Sequence, residues 1–232
     1  MSRSASQRKN LPARWGAVFD WDGVIIDSRV HHEESWNRLA SELHRPLPEG
    51  HFLKGFGRKN EFIIPEILEW TRDAEAIHRI SLRKEALYRE VVAEWGLTAL
   101  PGVRAWLEQL RDAHVPCAIG SSTHRANIDL SLDLIGLREF FVAIVTAEDV
   151  KHGKPDPEVF VTAAARLRRA PDCCVVFEDA HVGIEAAHAG GMRAIAVATT
   201  HRLEELKKAD LAVERLDHLD IGAIAKWFGD SA

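Results

Sequence analysis

Cysteine is scarce in this 232-residue chain: only Cys117, Cys173 and Cys174 occur, with no Cys-x-x-Cys spacing. All three lie in apolar, strand-like runs, where small thiols are commonly buried. They read as reduced packing residues of a cytoplasmic protein, in preference to a redox switch at the vicinal pair. The twelve histidines are scattered and form no His-x-x-x-His pair. An excess of positive charge is also missing: the formal net charge is −5, which leaves no electrostatic footprint for nucleic acid. No apolar run is long enough to cross a membrane. Residues 1–14 lack the apolar segment of a secretory signal and read as a flexible N-terminal tail. A matrix-targeting presequence is conceivable from Arg3, Arg8 and Arg14, but the segment is short and has no convincing amphipathic pattern. No internal repeat or low-complexity stretch occurs. Neither a nucleic acid nor a membrane is an expected partner, and the expected state is a monomer or weak dimer.

What is present is an alternation of short β-rich runs with helical stretches. The runs are Gly16–Asp20, Val115–Ser121, Val142–Thr146, Cys173–Glu178 and Arg193–Ala198. Such alternation predicts an α/β fold, a Rossmann-like parallel sheet sandwiched by helices. More than ninety residues separate the first two runs, far more than one crossover requires. From Ser28 to about Trp95 the pattern is helical throughout. Trp36, Leu39, Ala40 and Leu43 share one face, and Ile77, Ile80, Leu87, Val91 and Val92 mark a second long helix. The expectation is an inserted all-helical cap domain at 29–95, with the core domain formed by 15–28 and 96–232. Pro101 and Gly102 return the chain to that core before a helix through Trp106 and Leu110.

Chemistry concentrates where strands end. The first strand runs into Asp20-Trp21-Asp22-Gly23, placing two carboxylates at the edge where open α/β sheets bind ligands. Two such groups repel and are costly to desolvate unless a cation or an exchangeable proton lies between them. A metal site, an acid/base pair or both would satisfy that condition. A surface turn or a fragment of a calcium loop would also read this way, although the apolar Val24-Ile25-Ile26 replaces the oxygen ligands a calcium loop requires. Gly23 allows a sharp turn and close approach to a ligand. The second strand ends in Gly120-Ser121-Ser122-Thr123 before a helix beginning near His124 or Arg125, which suits either ordinary capping or a phosphate cradle. Gly153-Lys154-Pro155-Asp156-Pro157 forms a rigid loop that would aim Lys154 as a point charge, with a helix starting at Pro157. Val175 to Phe177 then run into Glu178-Asp179, followed by Gly183.

Taken together and in this order, Asp20 to Val24, Ser121, Lys154-Pro155 and Glu178-Asp179 resemble the haloacid dehalogenase superfamily, in the branch with a helical cap between the first and second motifs. The resemblance covers essentially all of residues 15–228. It implies phosphate chemistry, because the phosphoryl-transfer members carry the second aspartate and true dehalogenases lack it. It further implies that Asp20 is the nucleophile and Asp22 the general acid/base. Mg²⁺ would be held by Asp20, the Asp22 backbone carbonyl and Asp179, with Glu178 supporting. Ser121 and Lys154 would hold the phosphoryl oxygens.

Substrate choice is expected in the cap. Lys54-Gly55-Phe56-Gly57-Arg58 looks like the family's specificity loop, and Arg58 could grip a phosphate or polar head bidentately. Gly23, Ser122, His32, Lys54, Arg58, Lys84 and Arg125 complete the expected substrate-binding set. His32, Lys54, Arg58 and Lys84 match basic positions of the β-phosphoglucomutase cap, whereas His124-Arg125 departs from the Lys-Asn of the well-known mutases. His32 as a cap or packing residue and Lys84 as a solvated lysine are the plainer readings. The functional expectation is a phosphatase of a small phosphorylated metabolite such as a sugar phosphate. A β-phosphoglucomutase-like phosphotransferase is the alternative, and a non-catalytic binding module that retains the fold is the remote one.

Overall fold

The computed structural model describes residues 13–55 and 57–229. Six strands, β1 (Gly16–Phe19), β2 (Cys117–Gly120), β3 (Phe141–Val145), β4 (Cys174–Glu178), β5 (Arg193–Val197) and β6 (Leu211–Val213), form one sheet. Their order is β3-β2-β1-β4-β5-β6 and every neighbouring pair is parallel. The chain moves outward from β1 to one side, then returns to pair β4 on the other. The switch in direction therefore falls at β1, where a crevice opens at the carboxyl edge.

Both faces of the sheet are covered, which is why its strands read as continuous apolar runs. Ala17 and Phe19 face one cluster with Trp106, Leu107 and Phe177, while Val18 faces a second with Phe160, Ala163 and Ile184. Phe19 stacks on Phe177 at 4.5 Å, and Trp106 meets Phe177 edge-on at 6.1 Å. The core helices are α5 (Val103–Asp112), α6 (Arg125–Ile135), α7 (Glu158–Arg166), α8 (His181–Ala189) and α9 (Ile221–Lys226). The cap between β1 and β2 holds α1 (Arg29–Leu43), α2 (His51–Gly55), α3 (Asn60–Phe62) and α4 (Ala74–Trp95). Asp73 caps α4 by accepting a hydrogen bond from the Ala76 amide at 2.8 Å. Trp36, Leu39, Ile64, Leu68 and Leu87 build the cap's own core.

The structure differs from expectation in several details. The cap is not helical throughout: 44–50 and 68–73 are irregular, and Ile63–Ile67 forms a π turn. Leu43 is 40% exposed, because α1 ends there and its buried face stops at Ala40. β6 was missed, being only three residues long at the sheet's edge and incompletely buried. Cys173 lies in a 3₁₀ turn and is half-buried, while Cys117 and Cys174 are buried as expected. The expected tail at 1–14 lies mostly outside the described residues. Ala13 already belongs to the core, since its carbonyl accepts from the Arg169 guanidinium at 2.9 Å.

Replacing the fully buried Trp106 with alanine should lower the unfolding free energy by about 3–5 kcal/mol. Urea unfolding checks this, with a reduced midpoint at unchanged slope expected. A loss below about 1 kcal/mol would show that α5 does not anchor the sheet.

Candidate active site

Strand register levels the chemical groups. Phe19 pairs with Ile119 on one side and Phe177 on the other, so Asp20, Ser121 and Glu178 emerge together at the carboxyl edge. The Asp20 amide donates to the Phe177 carbonyl at 2.9 Å, which holds the residue after β1 against β4. Lys154, in the loop before α7, is buried, and its Nζ lies 2.9 Å from Asp20 Oδ1 and 2.5 Å from Glu178 Oε1. Burial opposes the ammonium, yet the two carboxylates outweigh it and raise its pKa. The other Glu178 oxygen accepts from the Asp179 and Ala180 amides, each at 2.7 Å. Glu178 is thus fully committed to holding Lys154 and the turn after β4.

The two aspartates of the opening motif diverge. Asp22 turns away from Lys154, and its carboxylate accepts from the Ser28 and Thr123 hydroxyls and from His32 Nε2 at 3.2 Å. Burial would raise its pKa, but the imidazole and the two hydroxyls prevail and hold it below the usual carboxylate range. Lys84 Nζ is 2.6 Å from His32 Nδ1. Because an ammonium can only donate, Nδ1 is the acceptor and Nε2 carries the proton given to Asp22. His32 also stacks on Tyr88 at 4.2 Å. Lys84 is therefore no solvated helix lysine: it is buried, 3.0 Å from Glu85 Oε1.

Asp179 completes an acidic group. One ligand oxygen each from Asp20, Glu178 and Asp179 lie within 4.8 Å of one another. Thr200 donates to Asp179 Oδ2, while Asp179 Oδ1 is buried without a hydrogen-bond partner among the described residues. Burial pushes the Asp20 pKa up to about 7 despite Lys154, and burial with Glu178 and Asp20 nearby raises that of Asp179. One lysine is too little positive charge for three buried carboxylates. An all-oxygen set with an orphaned carboxylate oxygen fits Mg²⁺, with Asp20 and Asp179 free to ligate and Glu178 occupied elsewhere. Two glycines make the room. Gly23 has φ +79°, and a Cβ there would run into the Asp179 carboxylate, as one at Gly183 would into that of Glu178.

A cleft partly open to solvent joins Asp20, Asp22 and Ser121 to the cap residues His32, Arg58 and Lys84. The structure does not bring Lys54 or Arg125 there. Lys54 is exposed on α2, and Arg125 bonds the Ile144 carbonyl at 2.8 Å and Asp149 at 3.0 Å. Ser122 lines the cavity, but its hydroxyl donates to the Gly57 carbonyl at 3.0 Å and so ties the cap loop down. Lys59 also reaches the core, where its Nζ donates to the Ala147 and Val150 carbonyls at 2.8 and 3.0 Å.

Sequence reasoning also missed a buried polar seam. Glu85 accepts from Asn60 at 2.7 Å and from Asn127 of α6, whose Oδ1 accepts from Arg89 at 2.8 Å. A carboxylate in an apolar helix face, Glu85 beside Leu87 and Tyr88, was the available signal. Ser28, Thr123 and Thr200 gave none, since hydroxyls in turns ordinarily cap.

Fold and site together define a class: doubly wound α/β enzymes that gather carboxylates and one buried lysine at the carboxyl edge of a parallel sheet, under a helical cap. A family model described as haloacid dehalogenase-like hydrolase matches residues 17–197. The chain belongs to that family, and the named relatives it resembles include phosphatases of phosphorylated small molecules and a β-phosphoglucomutase. The chloroplastic 5-amino-6-(5-phospho-D-ribitylamino)uracil phosphatase of Arabidopsis thaliana is 39% identical over 219 residues, covering 93% of this chain and 58% of its own length. The chain thus spans little more than half of that relative. Fructose-1-phosphate phosphatase of Escherichia coli is 31% identical over 185 residues, 78% of this chain and 95% of its own. Among solved structures, β-phosphoglucomutase from Clostridium difficile superposes with a TM-score of 0.81 at 26% identity, covering 92% of this chain and 96% of that one.

Glu85 makes the seam sensitive to acid. Burial opposes its ionisation, but Lys84, His32, His124 and the Asn60 hydrogen bond hold its pKa at about 2, below the ordinary glutamate value of 4.5. A depressed carboxylate stabilises the fold above its unfolded pKa and loses that contribution as pH falls toward the folded value. Glu85→Gln should be less stable than the parent by about 3 kcal/mol at pH 6. The gap should narrow steadily between about pH 4.5 and pH 2 in urea unfolding. A gap independent of pH would remove Glu85 from the seam's ionic balance.

Proposed function

We propose that this chain is a Mg²⁺-dependent phosphatase of a small phosphorylated metabolite, of the sugar-phosphate kind, acting through an aspartyl-phosphate on Asp20. The observation that carries the reading is the division of the two aspartates. Asp20 lies on the Lys154 ammonium, whereas Asp22 is turned to three other hydrogen-bond donors, the Ser28 and Thr123 hydroxyls and the cap's His32. Such a separation suits one carboxylate to nucleophilic attack and the other to proton transfer.

Asp20 attacks phosphorus as the ester oxygen leaves with a proton from Asp22, which gives the alcohol and a phosphorylated Asp20. Asp22 then removes a proton from water, whose oxygen attacks phosphorus, releasing inorganic phosphate and the Asp20 carboxylate. Asp22 is held ionised here, so the dianionic phosphate arriving beside it must raise its proton affinity before the first step. Ser121 and Lys154 would hold the phosphoryl oxygens and offset charge in the transition state. Mg²⁺, held by Asp20 and Asp179, would supply Lewis-acid neutralisation of the phosphate when bound. No helix among the described residues is long and apolar enough to cross a membrane.

The mutase reading is favoured by His32, which joins Lys84 to Asp22 across the cap boundary. A second phosphate, however, requires further positive charge in the cavity. Of the cations there, Lys84 is paired with Glu85, and Arg125 lies outside against Asp149. Arg58 is the one cavity cation without a carboxylate partner among the described residues.

With Mg²⁺ and a panel of phosphomonoesters, inorganic phosphate should be released. Asp20→Asn should lower turnover at least about a thousandfold. Formation of glucose 6-phosphate from β-glucose 1-phosphate and trace 1,6-bisphosphate, without phosphate release, would establish the mutase instead. Mg²⁺ at about a hundredfold over its dissociation constant should raise the stability by about 2.7 kcal/mol, seen as a higher thermal midpoint. Asp179→Asn should lose most of that rise, and an equal rise in both proteins would take Asp179 out of the metal site.

A further inference from the structure

The Asp179 carboxylate is engaged on one oxygen and free on the other. Its Oδ2 meets the Thr200 hydroxyl, while Oδ1 is buried without a hydrogen-bond partner among the described residues. An ionised carboxylate only accepts, so Thr200 gives its proton to Oδ2. The same oxygen fills the notch left by Gly23: a Cβ there would collide with Oδ2 and stand 3.1 Å from Oδ1. Packing and hydrogen bonding therefore both act on Oδ2 and leave Oδ1 as the free oxygen of the acidic group.

The sheet places Thr200 for this contact. β5 lies beside β4, and the chain leaves β5 at Val197, just before Thr200. The turn is fixed at its start by the Ala198 amide, which donates to the Val213 carbonyl at 2.8 Å. At its end the His201 ring packs on that of His181, with centroids 4.5 Å apart. His181 opens α8 immediately beyond the Asp179 turn. The ring pair thus joins the segment after β5 to the segment after β4 beside the Thr200–Asp179 bond.

How many oxygens a carboxylate can offer matters to the ion. Mg²⁺ demands a near-ideal octahedron at about 2.1 Å, whereas Ca²⁺ accepts roughly six to eight oxygens and takes both oxygens of one carboxylate. Glu178 is committed to Lys154 and two amides, so Asp20 and Asp179 are the carboxylates left to ligate. With Oδ2 occupied, Asp179 has one oxygen to give.

Resting on the Mg²⁺ reading above, we propose that Thr200 is a positioning residue for the metal: by holding Asp179 Oδ2 it makes that carboxylate a one-oxygen ligand and biases the site toward Mg²⁺ over Ca²⁺. Thr200 acts through Asp179 and takes no part in the transfer step.

Calorimetric titration with magnesium chloride and, separately, calcium chloride tests this without turnover. Thr200→Val keeps the side chain's shape and removes the donor. It should bind Mg²⁺ at least about tenfold more weakly than the parent, as loss of a partner that orients a ligand does. Its Ca²⁺ affinity should fall by no more than about threefold, because the released oxygen becomes a further Ca²⁺ ligand. Thr200→Ser keeps the hydroxyl and should stay near the parent for both ions. Thr200→Ala, in which water can reach Oδ2, should shift both affinities as valine does and serves if Thr200→Val does not fold. Unchanged Mg²⁺ affinity in a folded variant without the hydroxyl would overturn the proposal. Equal losses for the two ions would make Thr200 merely structural and overturn it as well, as would a serine variant no better than valine. A parent that binds neither ion would instead remove the metal reading itself. Mg²⁺ binding without hydrolysis of any phosphomonoester would sink the phosphatase reading and leave the role of Thr200 standing.

Discussion

The Lys154 ammonium between Asp20 and Glu178 is the interaction on which the site depends. Each partner of that contact comes from a different strand or loop, so it forms only when β1 and β4 are adjacent and in register. It satisfies one Glu178 oxygen while the backbone amides after β4 satisfy the other, which leaves Asp179 turned inward with an unpartnered oxygen. Three carboxylates and one lysine leave the edge short of positive charge. That deficit is what suits the edge to a divalent cation and a phosphate together, since each offsets what the other lacks.

The cap repeats the same logic at lower stakes. Lys84 and Glu85 are buried side by side, and each needs partners from elsewhere: Lys84 takes His32, Glu85 takes Asn60 and the core's Asn127. Through His32 this pair touches Asp22, and through Asn127 it touches α6 directly. The Ser122–Gly57 and Lys59–Ala147 bonds add polar contacts that hold the cap over the sheet edge. Polar contacts of this kind exchange readily for water, which suits a lid that must admit substrate and then exclude solvent.

Much of the core was legible because its signals are local. A parallel strand buried on both faces must be apolar throughout, and a carboxylate ending such a strand stands out, as at Asp20 and Glu178. The Pro-framed Lys154 loop is legible for the same reason. The cap was legible only as an insertion. His32 and Lys84 are ordinary helix residues in one dimension, and Glu85 reads as solvated until Asn127, forty-two residues away, is brought against it. Lys54 was expected at the site, whereas α2 leaves it exposed and Lys59 is the lysine that bonds core carbonyls. β6 went unread because three half-exposed residues carry too short an alternation to register.

Sequence alone determined the sheet, the insertion and the identity of the groups at the carboxyl edge, because strand periodicity and chain order are properties of neighbouring residues. Only the tertiary structure decided which aspartate faces Lys154 and which basic residues reach the cavity. Those outcomes depend on side chains meeting across the β1–α1 turn and the cap boundary, where contact is set by packing at long separation and no local pattern records it.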